Sequence, residues 1–269
     1  MNIHTYEKFW LIGAMVLIVA FIATVTYGAA GLGIAMVDDE GGTIAPDEIG
    51  DHDKFGDPGV HQVGENEYDV YVHAYTFGYS PDTIEIPENS EVTFYVTSSD
   101  VTHSFTVVGT NVNTMVIPGE IAEITAQFDE PEEYGILCNE YCGFGHHDME
   151  AELHVVPETE FDLTELAVDA PDEVDTDDQA QVTASVTNGM LEDLDTTVTL
   201  EIGNETVEED VTVAGDSSED VTFAVDASTL GDGDHDWTVT VDDYTESDQL
   251  TVGTDDDGDS DDGDTTEEE

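Results

Sequence analysis

In this 269-residue chain the side chains best equipped for chemistry sit in one loop, LCNEYCGFGHHDME, residues 137 to 150. It holds both cysteines of the sequence, Cys138 and Cys142, and His146, His147 and Met149 follow within seven residues. A disulfide between thiols four residues apart would close a very small ring of chain and contribute little stability. It would also leave the histidine and methionine without a role. Thiolate, imidazole and thioether together are the donor set of copper electron-transfer sites. Zinc would draw on more Cys or His and gains nothing from a thioether. A blue-copper site needs only one thiolate, two imidazoles and a weak axial methionine, so this loop carries one thiolate too many. Two neighbouring thiolates can instead bridge two coppers, each of which then needs one nitrogen and one weaker donor. The second nitrogen must come from outside the loop. His103, which opens the run HSFTVV after the turn-like Ser98, Ser99 and Asp100, is the candidate. On the loop alone, a disulfide and a single copper remain rival readings.

The elements that would position these groups are short strands. Between residues 66 and 157 the runs YDVYVHA, DTIEIP, EVTFYVTS, HSFTVV, AEITAQF, YGILC and AELHVV alternate apolar and polar residues, with Pro87, Asn89, Pro118 and Gly119 between them. About seven strands in this space predict an antiparallel sandwich or barrel, with the cysteine loop between the last two strands. A second all-β unit is expected at 158–253, where Val182, Ala184 and Val186, then Val198, Leu200 and Ile202, then Val221, Phe223 and Val225, and Trp237, Val239 and Val241 keep a period of two. An immunoglobulin-like sandwich fits that pattern, with Trp237 in its core and His235 without a second ligand nearby. Residues 41–65 are Gly- and Asp-rich and read as a linker, a tether or a loose covering loop, with His52 and His61 solvated. Residues 254–269, a run of like charge, are expected to be a disordered acidic tail.

Charge and hydropathy place the chain. There are 66 acidic side chains against two lysines, Lys8 and Lys54, for a formal net charge of -64. The acids run through every segment after residue 37 rather than forming one patch. This indicates halophilic adaptation, since in molar salt the Debye length falls to about 3 Å and self-repulsion is screened. It excludes nucleic acid as a partner. Residues 9–37 carry no charge at all, and about 20 such residues span a bilayer, so residues 1–40 form a retained single transmembrane anchor rather than a cleaved signal peptide. Lys8 before the helix and Asp38, Asp39 and Glu40 after it put the N-terminus in the cytoplasm and the remainder outside the cell membrane.

Residues 101–149 resemble the dinuclear copper (CuA) domain of cytochrome c oxidase subunit II, whose motif is a histidine on an early strand followed by C-x-E-x-C-x-x-x-H-x-x-M. The matching residues are His103, Cys138, Glu140, Cys142, His146 and Met149. The resemblance implies a cupredoxin fold, a Greek-key β-sandwich, for residues 66–157, so the chain is expected to be mainly β behind its single helix. It also implies roles: Cys138 and Cys142 bridge two copper ions, His103 and His146 bind one each, Met149 is axial, and Glu140 contributes its backbone carbonyl. The segments TFGYSPDTIEIP and YEKFW, with one helix rather than two, are similar to subunit II of B-type haem-copper oxidases, in a haloarchaeal-like form. By that comparison Glu7 matches a carboxylate at the mouth of a proton path, and Phe77 an aromatic side chain near the copper surface where electrons are taken up. Pairing of Glu7 with Lys8 and core packing of Phe77 are the structural readings beside these. His147 lies off the motif's register, His73 and His154 fall within strands, and Met115 reads as loop packing.

The implied activity is electron relay within an oxidoreductase, with no substrate pocket or acid–base pair in this chain. Electrons would arrive from an external cytochrome c or small blue-copper protein and pass to haem in subunit I of the oxidase, where oxygen is reduced to water. The same domain could serve a nitric oxide reductase. From a different class come a membrane-tethered copper storage or delivery protein and an adhesion module with a disulfide loop. Nitrous oxide reductase would need a His-rich propeller that the sequence lacks. The charge density generates a direct expectation: far-UV circular dichroism of the part beyond the helix shows loss of structure in dilute buffer and recovery in molar salt, whereas a melting temperature indifferent to salt contradicts halophilic adaptation.

Overall fold

The computed structural model describes residues 4–31 and 41–253, so the expected acidic tail and the last part of the anchor lie outside the described residues. The helix α1 (Thr5–Gly31) is apolar all round, and its stretch Thr5–Tyr27 has the length and composition to cross a membrane. Beyond it the chain divides into two compact units. One comprises residues up to 60 together with 66–160, and the other residues 61–65 with those from 161 onward.

The strands, in chain order, begin with β1 (Val60–Gly64), β2 (Glu67–Tyr75), β3 (Gly78–Ser80), β4 (Thr83–Pro87) and β5 (Ser90–Ser98). They continue with β6 (His103–Val107), β7 (Asn113–Val116), β8 (Ala122–Phe128), β9 (Glu132–Leu137) and β10 (Glu150–Val156). In the first unit β2, β5 and β8 lie side by side, with β3 pairing back onto β2, and the facing sheet runs β4-β10-β9-β6-β7. The expected alternation is present: Val70, Val72 and Ala74 of β2, Val92, Phe94 and Val96 of β5, and Leu153 and Val155 of β10 all point into the core. Phe94, Phe105 and Phe128 pack ring against ring between the sheets. The result is a cupredoxin-like β-sandwich.

Not every pair is antiparallel. β2 runs parallel to β5, and β4 parallel to β10, because the chain leaves the first sheet after β3, lays β4 into the second, and returns as β5. Tyr95, which interrupts the alternation in EVTFYV, faces the opposite side of the sheet from Phe94. There it stacks on Tyr71 at 5.0 Å, and Phe55 meets the Tyr71 ring edge-on at 5.2 Å. Ile44, Ile49, Phe55 and Ile121 bury themselves with these tyrosines. Residues 41–59 are therefore a packed strap rather than a loose tether. His52 is exposed and caps a turn, its Nδ1 accepting from the amides of Lys54 and Phe55 at 3.2 and 3.3 Å.

The second unit is also a sandwich. Its strands are β11 (Thr164–Asp169), β12 (Glu173–Val174), β13 (Gln179–Asn188), β14 (Leu194–Ile202), β15 (Glu205–Val213), β16 (Ser217–Asp226), β17 (Gly233–Val241) and β18 (Tyr244–Val252). They form the sheets β11-β13-β16 and β12-β18-β17-β14-β15. All of the alternating residues picked out in the sequence, including Trp237, are buried in one core. His235 donates from Nε2 to the Gly231 carbonyl at 2.7 Å, a structural bond. On the outer faces carboxylates pair across strands with hydroxyls and amides rather than with cations. Examples are Ser185 with Asp220, Thr197 with Asp210, Thr212 with Asp195, Thr251 with Asp234 and Gln179 with Asp226.

The strap generates a local-stability test. Phe55 is 2 % exposed, and truncating a buried Phe costs about 3 kcal/mol or more. Phe55→Ala is therefore expected to speed hydrogen exchange at the amides of Gly56 and Ile44, which bond to His52 and Gly119, by roughly a hundredfold, while amides of β5 stay protected. Equal acceleration in β5 would show that the strap is not a separate unit.

Candidate metal centre

His103 is placed by the ladder. It is the first residue of β6, paired to Val116 of β7, and its side chain is completely buried. The cysteine loop is the connection between β9 and β10, whose register brings Leu137 opposite Glu150, so the loop leaves and re-enters the sheet at adjacent points. The start of the loop is pinned to β6: the Asn139 amide donates to Ser104 Oγ at 2.5 Å and Asn139 Nδ2 to Thr106 Oγ1 at 2.9 Å. Beneath, the buried Tyr79 hydroxyl donates to the Ser104 carbonyl at 2.6 Å. Further along, Gly143 takes a φ of 139°, a value L side chains rarely adopt, and a one-turn 3-10 helix at His146–Asp148 turns the chain back.

These constraints gather the donors. Cys138 Sγ lies 3.9 Å from His103 Nδ1, 4.0 Å from Cys142 Sγ and 3.2 Å from the Glu140 carbonyl oxygen. Cys142 Sγ lies 3.6 Å from His146 Nδ1 and 3.7 Å from Met149 Sδ. Both cysteines are free thiols. All six motif residues thus meet in one chain of contacts. His103, Cys138 and Cys142 are buried and hold their ligand atoms within 4.8 Å of one another. Met149 is buried as well, and His146 is half-buried.

The donor chemistry fits a soft, thiophilic cation. Burial, and then the neighbouring Cys138, push the Cys142 thiol up to about 11, so Cys142 resists ionising by itself. A cation between the sulfurs would offset that cost by displacing the protons. Among the described residues the same pocket holds no carboxylate that could serve a hard ion as first choice.

The structure also locates the remaining candidates. Phe77 is 40 % exposed and lies flat against the glycines of the loop, where a Cβ on Gly145 would fall 2.5 Å from its Cδ2. Glu7 is not part of the cluster; at the start of α1 its Oε2 accepts the His4 amide at 2.8 Å. His147 is exposed beside Asp148, and His154 is half-buried beside Glu152. Met115 sits on β7 opposite Ser104. Two residues at the site escape sequence reasoning. Asp100 accepts from His103 Nε2 at 2.8 Å, and Thr76 in turn donates to Asp100. An acid three residues before a strand-opening histidine is a faint signal in a chain with 66 acids. Burial tends to raise Asp100, but hydrogen bonds from Thr76, His103 and Val101 outweigh it and hold the carboxyl well below the usual range. Burial lowers the nearby His73 and raises Tyr79, the latter helped by the two thiols.

Comparison with known proteins agrees with this geometry. Residues 69–156 match the sequence model of the family described as cytochrome C oxidase subunit II, periplasmic domain. A cytochrome c oxidase subunit 2 of Thermus thermophilus is 40 % identical over 150 residues, which is 55 % of this chain and 89 % of that protein. A second Thermus thermophilus sequence of that name is 45 % identical over 108 residues, 39 % of this chain and 80 % of its own length. Among solved structures, a chain of a heme-copper terminal oxidase dimer shares 29 % identity with a TM-score of 0.47, covering 56 % of this chain and 99 % of that one. The level of identity over nearly the whole of the first Thermus protein, together with the six converging donors, shows that this chain belongs to the cytochrome c oxidase subunit II family.

Proposed function

We propose that this subunit of a haem-copper oxidase carries a dinuclear copper centre and relays electrons from a donor outside the membrane to haem in subunit I. The observation that carries this reading is the convergence of Cys138 and Cys142 with a separate imidazole nitrogen beside each, His103 for one and His146 for the other. Cys138 and Cys142 would bridge, His103 and His146 would each bind one metal, and Met149 and the Glu140 carbonyl would be the weak donors. When bound, the two coppers supply one-electron redox chemistry with the charge shared between them.

The chain's own part is rigidity and exclusion of water. His103 is locked into a ladder, Cys138 is tied through Asn139 to β6, and Met149 is buried at the start of β10, so the donors move little when charge changes. Phe77 covers the glycine stretch and forms part of the surface by which electrons reach the centre. The nearby Tyr141 and Phe144 rings are almost fully exposed, which suits short-range apolar docking of a cytochrome c or a small blue-copper protein at high salt. One apolar N-terminal helix is consistent with a single-pass membrane subunit, and Lys8 on its leading side supports a cytoplasmic N-terminus. With the short relatives from Thermus, the single span supports a B-type complex with oxygen as acceptor and Glu7 near a cytoplasmic proton inlet.

Metal analysis and electron spin resonance test the reading. The full chain in molar salt is expected to bind two coppers with one unpaired electron shared between them. One copper per chain, or a Cys138–Cys142 disulfide in the native protein, would remove the relay. Cys142→Ser abolishes the shared-valence spectrum. Met149→Leu retains both coppers and shifts the midpoint potential, since a weak axial donor tunes rather than holds the metal.

A further inference from the structure

Asp100 stands on no strand, yet it is among the most heavily hydrogen-bonded side chains near the centre. Its Oδ1 accepts from the Val101 amide at 2.6 Å and lies 2.8 Å from His103 Nε2. Its Oδ2 accepts from the Thr76 amide at 2.7 Å and the Thr76 hydroxyl at 2.5 Å. The carboxylate is 29 % exposed, so it joins the protein surface to an imidazole that water cannot reach.

Two consequences follow from acceptor chemistry. A carboxylate without its proton only accepts, so His103 must present Nε2–H to it, and Nδ1 is left as a bare lone pair facing Cys138. Turning the ring over would put carbon against Asp100 and take Nδ1 away from the thiols. The second consequence runs through Thr76, whose neighbour Phe77 lies on the glycine loop. One side chain therefore holds both the His103 ring and the segment that carries Phe77. His73 makes the contrast plain: it also feels the Asp100 charge, but its buried Nε2 has no hydrogen-bond partner, so the carboxylate is committed to His103.

We infer that Asp100 is a positioning residue for the metal centre. It selects the Nε2–H tautomer of His103, lends negative charge to that ligand, and couples it through Thr76 to the exposed Phe77 segment. A buried ligand whose other nitrogen is bonded to a carboxylate is a better electron donor and less free to rotate. The inference rests on the copper reading of the cluster, but the tautomer is a property of the metal-free chain and can be measured separately.

The test uses the full chain in detergent and molar salt. In the copper-free protein with 15N-labelled histidine, nuclear magnetic resonance is expected to show His103 as the Nε2–H tautomer. In Asp100→Ala its ratio to the Nδ1–H form falls at least roughly tenfold, the equivalent of one charge-assisted hydrogen bond. If that variant does not fold, Asp100→Asn, which keeps the shape and can still accept, carries the measurement with a fall of roughly threefold. After loading with Cu(II), Asp100→Asn favours the reduced state by roughly tenfold because a negative charge is gone. Thr76→Val shifts the equilibrium the opposite way by roughly twofold, because the carboxylate loses a competing donor and leans harder on His103. General loosening of the site would move both variants in one direction. A tautomer ratio unchanged within twofold, or shifts of the same sign in both variants, overturns the inference. If the unaltered chain does not take up two coppers, the copper reading fails on its own, and the tautomer measurement still decides the role of Asp100.

Discussion

The constraint on which the first unit depends is the placing of two thiols 4.0 Å apart where water is nearly excluded. Cys142 cannot ionise there at small cost, because its thiolate would leave water beside a second sulfur. Left to itself a chain would avoid such a pair, by oxidising it or by letting the loop swing into solvent. Here the surrounding contacts prevent the second outcome. Ser104 holds the Asn139 amide, Tyr79 holds Ser104 from below, and the β9–β10 register fixes where the loop returns. The tension is sustained by ordinary ladder and core packing, with Phe94, Phe105 and Phe128 providing a floor that does not yield.

Much of this is legible in the sequence because it depends on local periodicity and residue type. Val182, Ala184 and Val186, or Trp237, Val239 and Val241, each report their own burial through a period of two, and every one of them is in the core. The convergence of Cys138, Cys142, His103, His146 and Met149 is legible because thiol, imidazole and thioether are scarce, and scarcity makes their clustering informative. Pairing across the chain is not legible in this way. Nothing in the runs of β2 and β5 says that they lie parallel, since alternation marks a face and not a neighbour. The strap escapes a sequence reading because Ile44, Ile49 and Phe55 have no common period, and their burial is created by Tyr71 and Tyr95 on the far face of the sheet. Asp100 is hidden by abundance. A carboxylate is ordinary in this sequence, and it becomes special only through Thr76, 24 residues away.

The two sandwiches use the same architecture for different ends. In the first, the buried His103 and Ser104 open β6 beside the cysteine loop, His103 facing Cys138 and Ser104 holding the Asn139 amide. In the second, the buried polar residues are structural: Thr164 donates its hydroxyl to the Asp162 carboxylate at 2.8 Å, and Asn188 reaches the carbonyls of Glu192 and Val213 at 2.8 and 3.2 Å. A β-sandwich becomes a site only where loops between its strands carry donors that the ladder can hold still.

The hydroxyl and amide partners of the surface carboxylates have a further meaning. In a protein with two lysines and no arginine, cross-strand acids cannot be anchored by ion pairs, and Thr and Ser take that place at Asp195, Asp210, Asp220 and Asp234. An exposed ion pair fades as electrolyte is added, whereas a short hydrogen bond to a neutral donor is far less sensitive to it. The molecule thus separates two jobs that most proteins give to the same side chains. Added electrolyte weakens repulsion among the surface carboxylates, while the stitching between strands is insulated from it, so the force between charges and the choice of neighbouring strand answer to different variables.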